Sequence, residues 1–341
     1  MTAWPMVGVA GARGVVGGVF LQILRDAGLP PERLRCYGNE PGSVAFDGSE
    51  LEVVTPVPET LRDLDVLFLA TDAARSREIV DGLEGQGPVV VDNSSAFRLD
   101  ETVPLVVPEA NADALRTRPR LIANPNCTTA AVVVALAPIR DRWGLESVDI
   151  ASYQAVSGAG RGGLDAFEAE RMTRDSEAAG ASPFAGRIAD SVVPQIDVLD
   201  EDGWSGEENK IRAELRKILE LPGLDVAATA VRVPVRIGHS VALHLRTERT
   251  TTVAEIEDAL RGAPGVEYRS ADGRERHPMP LDVAGRDPVI VGRLRAIPGR
   301  ERGFALFLSS DNLRKGAALN AVQVAASLDP ERFGCLLPAA S

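Results

Sequence analysis

The glycine-rich stretch GVAGARGVVGG, from Gly8 to Gly18, limits the fold of this chain more than any other feature. It joins an apolar segment, residues 5–11, to a run whose apolar residues recur at helical spacing from Val15 to Ala27. A strand, a glycine turn and a helix in this order form the setting in which a helix N-terminus binds a dinucleotide pyrophosphate. The spacing is GxxGxxG and not the usual GxGxxG, so a tight turn without a ligand is the alternative interpretation.

Strand and helix patterns alternate through the first 120 residues. Further short apolar strands are predicted at residues 34–38, 65–71 and 88–94. This βαβ alternation predicts a doubly wound sheet with helices on both faces, which is a Rossmann-type dinucleotide-binding domain of the α/β class.

The pattern changes after Cys127. Helices are predicted at residues 130–139 and 210–219, and longer strands are predicted at residues 147–156, 226–235, 239–248, 288–296 and 303–309. They indicate an α+β domain with a mixed, largely antiparallel sheet and helices on one side. A final apolar helix is predicted at residues 312–328, and we expect it to fold back onto the first domain.

Composition excludes several classes of protein. The chain has 341 residues, a length that indicates two domains or one large domain with an excursion, and its 45% hydrophobic and 25% charged residues are typical of a globular protein. The net charge of −12 argues against nucleic-acid binding, so an anionic ligand requires a local group of cations. No apolar run reaches the roughly 20 residues of a membrane span. Three widely spaced cysteines predict a cytoplasmic protein without disulfides, and we predict no metal site.

The stretch ANPNCTT places Cys127 at the start of a predicted helix. A helix N-terminus favours the reactive thiolate, and Asn126 is a preferred residue type for the N-cap. The alternative is a small buried hydrophobe, which is our interpretation of Cys36 and Cys335. A nucleophilic cysteine also needs a base. Among the three histidines we prefer His239, which begins a predicted strand directly after a loop.

Two other histidines and four charged residues complete the candidates. His244 is expected on the opposite face of the strand of His239, and His277 in a charged surface loop. Arg232, inside a predicted strand, needs a partner or a ligand. Arg98 follows a strand at the edge where α/β sheets bind ligands. Glu207 and Lys210 share the face of a helix start, where a solvated helix end is the simpler interpretation.

Nine segments, in collinear order, resemble the aspartate-semialdehyde dehydrogenase family. They are GARGVVG, DNSSAFR, PLVVPEAN, NPNCTT, SYQAVSGAGRGG, EENKIRAELRKIL, VRVPVRIGHS, DPVIVGRLR and SDNLRKGAALNAVQ. Their order, more than any one of them, makes the resemblance specific. The related N-acetyl-glutamyl-phosphate reductases have glycine before the cysteine, where this chain has Asn126.

The resemblance implies a role for each candidate at the reacting centre. Cys127 would be the nucleophile that carries the acyl group, His239 the general acid/base, and Gln154 the residue that positions the substrate. The remaining roles concern the charged groups of the substrate: Arg232 for its α-carboxylate, Glu207 for its ammonium, and Arg98, Asn126 and Lys210 for the phosphate.

NADP is the cofactor that the resemblance implies. The dinucleotide would be held by Gly11, Ala12, Arg13 and Gly14, with Asn39 and Glu40 after the second strand and with Ser157, Gly158 and Asn312 near the nicotinamide. The family commonly has a serine and an arginine after the second strand for the 2′-phosphate, where this chain has Tyr37 and Asn39 next to Glu40. A carboxylate repels a phosphate, so we expect a weaker preference for NADP, or use of both NAD and NADP.

The implied activity is the reduction of 4-aspartyl phosphate to aspartate 4-semialdehyde and inorganic phosphate, in lysine (diaminopimelate), methionine and threonine biosynthesis. The implied assembly is a homodimer. Residues 1–126 and 313–341 would form the dinucleotide-binding domain, and residues 127–312 the catalytic and dimerisation domain. One alternative is a non-catalytic paralogue, which the presence of the cysteine, glutamine and histidine disfavours. The other is a related acyl-phosphate reductase, which Glu207 and Arg232 disfavour.

Overall fold

A seven-stranded sheet forms the centre of the first of two units. The computed structural model describes residues 4–173, 180–270 and 277–338. One unit comprises Met1–Pro125 with Ala317–Ser341, and the other comprises Asn126–Gly316. The strands of the first sheet are β1 (Val7–Ala10), β2 (Leu34–Tyr37), β3 (Gly42–Phe46), β4 (Ser49–Val54), β5 (Val66–Leu69), β6 (Val89–Asp92) and β7 (Leu121–Ala123). Their order is β3-β4-β2-β1-β5-β6-β7, and neighbours are parallel except for β3 and β4.

Helices cover both faces of this sheet, as the alternation of patterns predicted. Successive residues of a strand point to opposite faces, so Val66 and Phe68 belong to one apolar cluster and Leu67 and Leu69 to another. The helices are α1 (Val15–Asp26), α2 (Pro58–Leu61), α3 (Ala73–Gly82), α4 (Pro108–Asn111), α10 (Leu319–Leu328) and α11 (Pro330–Phe333), with 3₁₀ turns at Pro31–Arg33, Ala112–Leu115 and Gly334–Leu336. Apolar residues of α1 and α10 belong to the first cluster, and those of α2 and α3 to the second. The doubly wound fold is therefore confirmed.

The turn between β1 and α1 requires its glycines. Gly11 has a φ of +82°, and a Cβ there would lie 2.3 Å from the carbonyl oxygen of Ala70. A Cβ at Gly17 would lie 2.1 Å from the carbonyl oxygen of Gly11. Close packing of the turn against the residue that follows β5, and of α1 against the turn, therefore explains two of the regularly spaced glycines.

A six-stranded mixed sheet organises the second unit. Its strands are β8 (Ser147–Gln154), β9 (Asp225–Arg232), β10 (His239–Arg246), β11 (Val266–Arg269), β12 (Val289–Ala296) and β13 (Gly303–Ser310). In the order β11-β12-β13-β10-β8-β9 the three central pairs are antiparallel and the two outer pairs are parallel. The mixed, largely antiparallel sheet is confirmed.

The helix predicted at residues 130–139 is the buried centre of this unit. The helices here are α5 (Cys127–Trp143), α6 (Gly160–Met172), α7 (Gly206–Ile218), α8 (Val253–Arg261) and α9 (Pro280–Val283), with a 3₁₀ turn at Val156–Ala159. Helix α5 packs against β10, β12 and β13 and contacts α7 and α8. An α-helix that is apolar on all sides must be enclosed in this way, because no face of it favours water.

The segment predicted as one helix over residues 312–328 is divided. A π-helix spans Arg314–Ala318, and regular α-helix begins only at Leu319. Among the helices of the described residues, none combines the length and apolar character of a membrane span. The same residues contain no group of His, Cys, Asp and Glu that could hold a metal ion.

Candidate active site

Three strand ends of the second sheet meet where the candidate residues lie. Gln154 ends β8 and Arg232 ends the parallel neighbour β9, and the two residues are paired in register. Strand β10 runs antiparallel to β8 and begins with His239, one residue before the partner of Tyr153. The sheet therefore brings a glutamine, an arginine and a histidine together at one end of three neighbouring strands, although they lie far apart in sequence.

Cys127 is the first residue of α5, with Asn126 as its N-cap. The side-chain oxygen of Asn126 accepts hydrogen bonds from the backbone N–H groups of Thr128 at 2.8 Å and Thr129 at 3.3 Å. The predicted cap is confirmed. The partial positive charge of the helix N-terminus lies at the thiol and favours its thiolate form.

His239 contacts Cys127 directly. Its Nε2 lies 3.2 Å from the Sγ of Cys127, and its Nδ1 accepts the backbone N–H of Ala155 at 3.0 Å. Because Nδ1 is an acceptor, the single proton of a neutral imidazole lies on Nε2 and faces the sulfur. Burial, and secondly the charge of Arg232, lower the pKa of His239 well below 6.5, so the ring is neutral at pH 7.

Arg232 is a buried cation next to this pair. Only 5% of the residue is exposed, and Nη1 donates to the carbonyl oxygen of Ala155 at 2.8 Å. Its Nε is buried and has no hydrogen-bond partner among the described residues. Burial lowers the pKa of Arg232, and negative charge on Cys127 and Glu207 opposes that shift. A buried guanidinium with an unused donor can accept an anionic ligand at little further desolvation cost.

Glu207 joins Asn126 and Gln154 in one buried network. Its Oε1 accepts the side-chain N–H groups of Asn126 at 2.8 Å and Gln154 at 2.9 Å. The hydroxyl of Ser152 donates to Oε1 of Gln154 at 3.0 Å. The orientation of both amides is therefore set by a carboxylate and a hydroxyl, and Glu207 contributes a negative charge beside the positive charge of Arg232.

Gly158 and Gly316 fit closely around these side chains. A Cβ at Gly158 would lie 2.6 Å from Nη1 of Arg232 and 3.3 Å from Cε1 of His239. A Cβ at Gly316, in the π-helix, would lie 2.8 Å from Cβ of Cys127. Side chains at either position would displace the cysteine, the histidine or the arginine.

Glu214 supports the start of α5 from beneath, and it was not among the predicted residues. Its Oε2 accepts the backbone N–H of Asn126 at 2.6 Å, and the residue is 1% exposed. We expect Glu214→Ala to lower the free energy of unfolding by about 1–3 kcal/mol, because it leaves a buried N–H without a partner. Glu214→Gln retains a carbonyl acceptor and should lose less. Denaturant unfolding of both variants tests this, and equal losses would contradict it.

Two family models match the chain and together cover most of it. They are the dimerisation domain of semialdehyde dehydrogenase over residues 136–315 and the NAD binding domain of semialdehyde dehydrogenase over residues 6–118. The aspartate-semialdehyde dehydrogenase of Streptomyces akiyoshiensis is 41% identical over 96% of this chain and 99% of its own length. The chain belongs to the aspartate-semialdehyde dehydrogenase family. It is thus an oxidoreductase with a dinucleotide-binding domain and a dimerisation domain.

The chain is also similar to a second relative in sequence and to a crystal structure. The Bacillus subtilis (strain 168) aspartate-semialdehyde dehydrogenase is 38% identical over 94% of this chain and 96% of its own. The crystal structure of aspartate semialdehyde dehydrogenase II from Vibrio cholerae, complexed with ASA, is 33% identical with a TM-score of 0.91, over 97% of this chain and all of that chain.

The structure places the other predicted residues of the second unit as follows. Lys210 forms an ion pair with Asp197, Nζ to Oδ2 at 2.6 Å, and its hydrogen bond lowers the pKa of that carboxyl. Asn312 donates to Oγ of Ser157 at 2.9 Å and accepts the backbone N–H of Gly238 at 2.9 Å. Thus Ser157 and Asn312 lie together, whereas Lys210 pairs with Asp197, which is not part of the network of Glu207, Asn126 and Gln154. The roles of all three in this family member stay predictions.

The guanidinium of Arg98, in the first unit, donates hydrogen bonds to backbone carbonyl groups. Its Nε donates to the carbonyl oxygen of Asn124 at 2.9 Å and its Nη2 to that of Asn93 at 2.7 Å. The residue is buried. Arg98 therefore connects the segments that follow β6 and β7, and its role toward phosphate stays a prediction.

Tyr37, which stands where the family commonly has a residue for the 2′-phosphate, is the last residue of β2. Its side chain is 1% exposed and its hydroxyl donates to the carbonyl oxygen of Thr60 at 2.7 Å, so it points into the protein. Burial raises the pKa of its phenol. Asn39 and Glu40 are exposed. Tyr37 therefore cannot take the place of a side chain that grips a 2′-phosphate.

Except for the burial of Cys335, the remaining cysteines and histidines agree with the simpler interpretations. Cys36 is buried in β2, and burial raises its pKa to about 12, so it stays a thiol. Cys335 is only half-buried, not buried as expected, and burial raises its pKa too. His277 is exposed, and His244 is half-buried on β10, between the buried residues Leu243 and Leu245.

Proposed function

We propose that this chain reduces 4-aspartyl phosphate to aspartate 4-semialdehyde and phosphate through a thioester on Cys127. The observation that carries the proposal is the contact of 3.2 Å between Sγ of Cys127, at a helix start, and Nε2 of a neutral, buried His239. A cysteine whose thiolate is stabilised by a helix N-terminus and by an adjacent N–H donor is equipped for nucleophilic attack on an acyl group.

The charges around Cys127 match those of an aspartyl group. Arg232, with its unused Nε donor, binds the α-carboxylate, and Glu207 binds the α-ammonium. Gln154, oriented by Ser152, positions the substrate beside the sulfur. A reductase for an N-acylated substrate would have no ammonium to satisfy Glu207. The Vibrio cholerae relative was solved in complex with ASA, which supports this substrate.

The reaction begins when the thiolate of Cys127 attacks the acyl carbon and the phosphate leaves with the electron pair of the broken C–O bond. Arg98, Lys210 and Asn126 are the residues that we propose for the phosphate. The proton that Cys127 releases on forming the thiolate passes to solvent, the departing phosphate takes up one proton from solvent, and the acyl group remains as a thioester on Cys127. Covalent capture in this way divides one difficult step into two easier ones.

His239 holds its proton where negative charge develops. Nε2–H faces the sulfur, and an oxygen on the acyl carbon bound to that sulfur lies next to the same donor. When the reduced intermediate collapses to the aldehyde, the thiolate leaves and again meets Nε2–H. The reverse role, acceptance of a proton at Nε2, would require Nδ1 to release the N–H of Ala155.

The first unit fits a dinucleotide. Gly14 is the N-cap of α1 and provides no side-chain cap, and the first turn of α1 has no acidic residue, so its N–H groups and positive end remain available for a pyrophosphate. Gly11, Ala12, Arg13 and Gly14 would hold the dinucleotide there, with Ser157, Gly158 and Asn312 near the nicotinamide. When bound, the nicotinamide supplies the hydride that reduces the thioester. We propose NADP with retained use of NAD, because Glu40 is exposed after β2.

The proposed setting is a homodimer that serves lysine, methionine and threonine synthesis.

The test of the proposed function is the reverse reaction: aspartate semialdehyde, NAD or NADP and phosphate are supplied, and NAD(P)H is followed at 340 nm. We expect turnover that depends on phosphate. N-acetyl-glutamate semialdehyde, which lacks the ammonium, should react at least about 100-fold more slowly. Equal rates with both aldehydes would contradict the assignment of Glu207.

A further inference from the structure

Arg13 extends from the glycine turn to the loop that follows β2. Its Nη2 donates to the carbonyl oxygen of Glu40 at 2.9 Å and lies 4.0 Å from Oε2 of the same residue. The side chain of Arg13 is 43% exposed and that of Glu40 is 87% exposed. The guanidinium is therefore fixed through a backbone carbonyl, while the carboxylate is free to turn towards solvent or a ligand.

Gly42 lies against this guanidinium. A Cβ at Gly42 would lie 2.8 Å from Nη1 of Arg13 and 3.4 Å from its Cζ. Arg13 thus lies close to the backbone of Glu40 and Gly42, with one hydrogen bond to the carbonyl oxygen of Glu40.

This position is where dinucleotide-binding folds distinguish NAD from NADP. An acidic residue near the end of the second strand accepts the ribose hydroxyls of NAD, whereas an arginine nearby accommodates the 2′-phosphate of NADP. Tyr37, the last residue of β2, is turned into the protein and contributes to neither. Arg13 and Glu40 therefore place one group of each kind at the same point.

We propose that Arg13 and Glu40 together set the cofactor preference of this chain. With NADP, the 2′-phosphate attracts Arg13 more strongly than the carbonyl of Glu40 does, because a guanidinium binds phosphate through two charge-assisted hydrogen bonds. With NAD, Arg13 stays on the loop and the carboxylate of Glu40 accepts the ribose hydroxyls. The proposal rests on the proposed function to the extent that the glycine turn holds a dinucleotide.

The test is the direct binding of NADPH and NADH to the full chain, followed by the fluorescence of the reduced nicotinamide. We expect Arg13→Gln to raise the ratio of Kd for NADPH to Kd for NADH by about tenfold or more, and Glu40→Gln to lower it by about fivefold. Arg13→Lys, which keeps the charge but not the fork, should fall between wild type and Arg13→Gln. Arg25→Gln removes an exposed charge from the end of α1 and should leave the ratio unchanged.

The proposal would be overturned if Arg13→Gln left the ratio of Kd for NADPH to Kd for NADH unchanged, even if both dinucleotides bound more weakly. Arg13 would then only support the loop. Failure of the wild type to bind either dinucleotide would overturn it too. Because binding requires no aspartate semialdehyde, the two proposals can fail separately. Expected changes in the ratio without turnover of the aldehyde would refute the proposed function and keep this one.

Discussion

Cys127→Ser is expected to abolish phosphate-dependent reduction of NADP by aspartate semialdehyde, with kcat lowered by at least about 10⁴-fold. Serine keeps the size of the side chain and the start of α5, but its hydroxyl stays protonated at neutral pH even at a helix N-terminus. The helix dipole and Nε2–H of His239 stabilise a thiolate, and no thiolate is present in the variant. The rate of NADPH formation measures the effect.

Cys335→Ser is the matched control for this experiment. Cys335 lies in a 3₁₀ turn of the first unit, and its thiol has a raised pKa, so the substitution should leave the rate unchanged. Thermal unfolding of both variants would verify that they fold. A folded Cys127→Ser variant that keeps more than about a hundredth of the wild-type rate would contradict the covalent mechanism.

His239→Ala is expected to lower kcat/KM by about 10²–10⁴-fold, because it removes the N–H donor that faces the sulfur of Cys127. His239→Gln still carries an N–H group at the end of its side chain. We expect it to retain at least about tenfold more activity than His239→Ala, since the geometry assigns hydrogen-bond donation at Nε2 as the main contribution. Steady-state kinetics of the two variants against wild type measure both effects.

The pH profile provides a second readout for His239. Its pKa is lowered below 6.5, so the ring gains a proton only in acid, and that proton must displace the N–H of Ala155 from Nδ1. The acidic limb of kcat/KM that belongs to this ring therefore lies below pH 6.5 and should be missing from His239→Gln. Equal loss of activity in the glutamine and alanine variants would instead show that proton transfer by the ring, as the family resemblance implies, is the essential step.

Much of the first unit follows from local sequence patterns. The strands β1, β5 and β6 are covered by helices on both faces and therefore appear as unbroken apolar runs. The hairpin of β3 (Gly42–Phe46) and β4 (Ser49–Val54) was not predicted. Most of its residues are at least partly exposed, so no apolar run marks it, and the alternation of Glu50, Leu51, Glu52 and Val53 covers only four residues. Strand β7 has only three residues, too few for any periodicity to be visible.

The reactive side chains of the candidate site could be proposed from residue type and position, because Cys127 begins a helix and His239 begins a strand. The groups that orient them could not. Ala155 acts through its backbone, where its N–H binds His239 and its carbonyl oxygen binds Arg232, so its side chain carries no signal. Glu214 lies in a charged helix and resembles a solvated residue until the fold buries it under Asn126.

The contact between Arg13 and Glu40 could not be predicted from the sequence either. The residues after β2 include a carboxylate and no nearby cation, and this composition alone predicts a weaker preference for NADP. The cation precedes β2 in the chain and reaches Glu40 only because the turn after β1 lies beside the end of β2 in the parallel sheet. Strand pairing of this kind cannot be inferred from the residues next to Glu40.

The most direct test of the thioester on Cys127 is a rapid-mixing experiment without phosphate. Enzyme, NADP and aspartate semialdehyde are mixed, NADPH is followed at 340 nm, and the protein is then analysed by mass spectrometry. We predict a burst of about one NADPH per chain, an aspartyl group on Cys127, and continuous turnover only after phosphate is added. A full steady-state rate without phosphate, or a burst that survives in Cys127→Ser, would contradict the covalent mechanism.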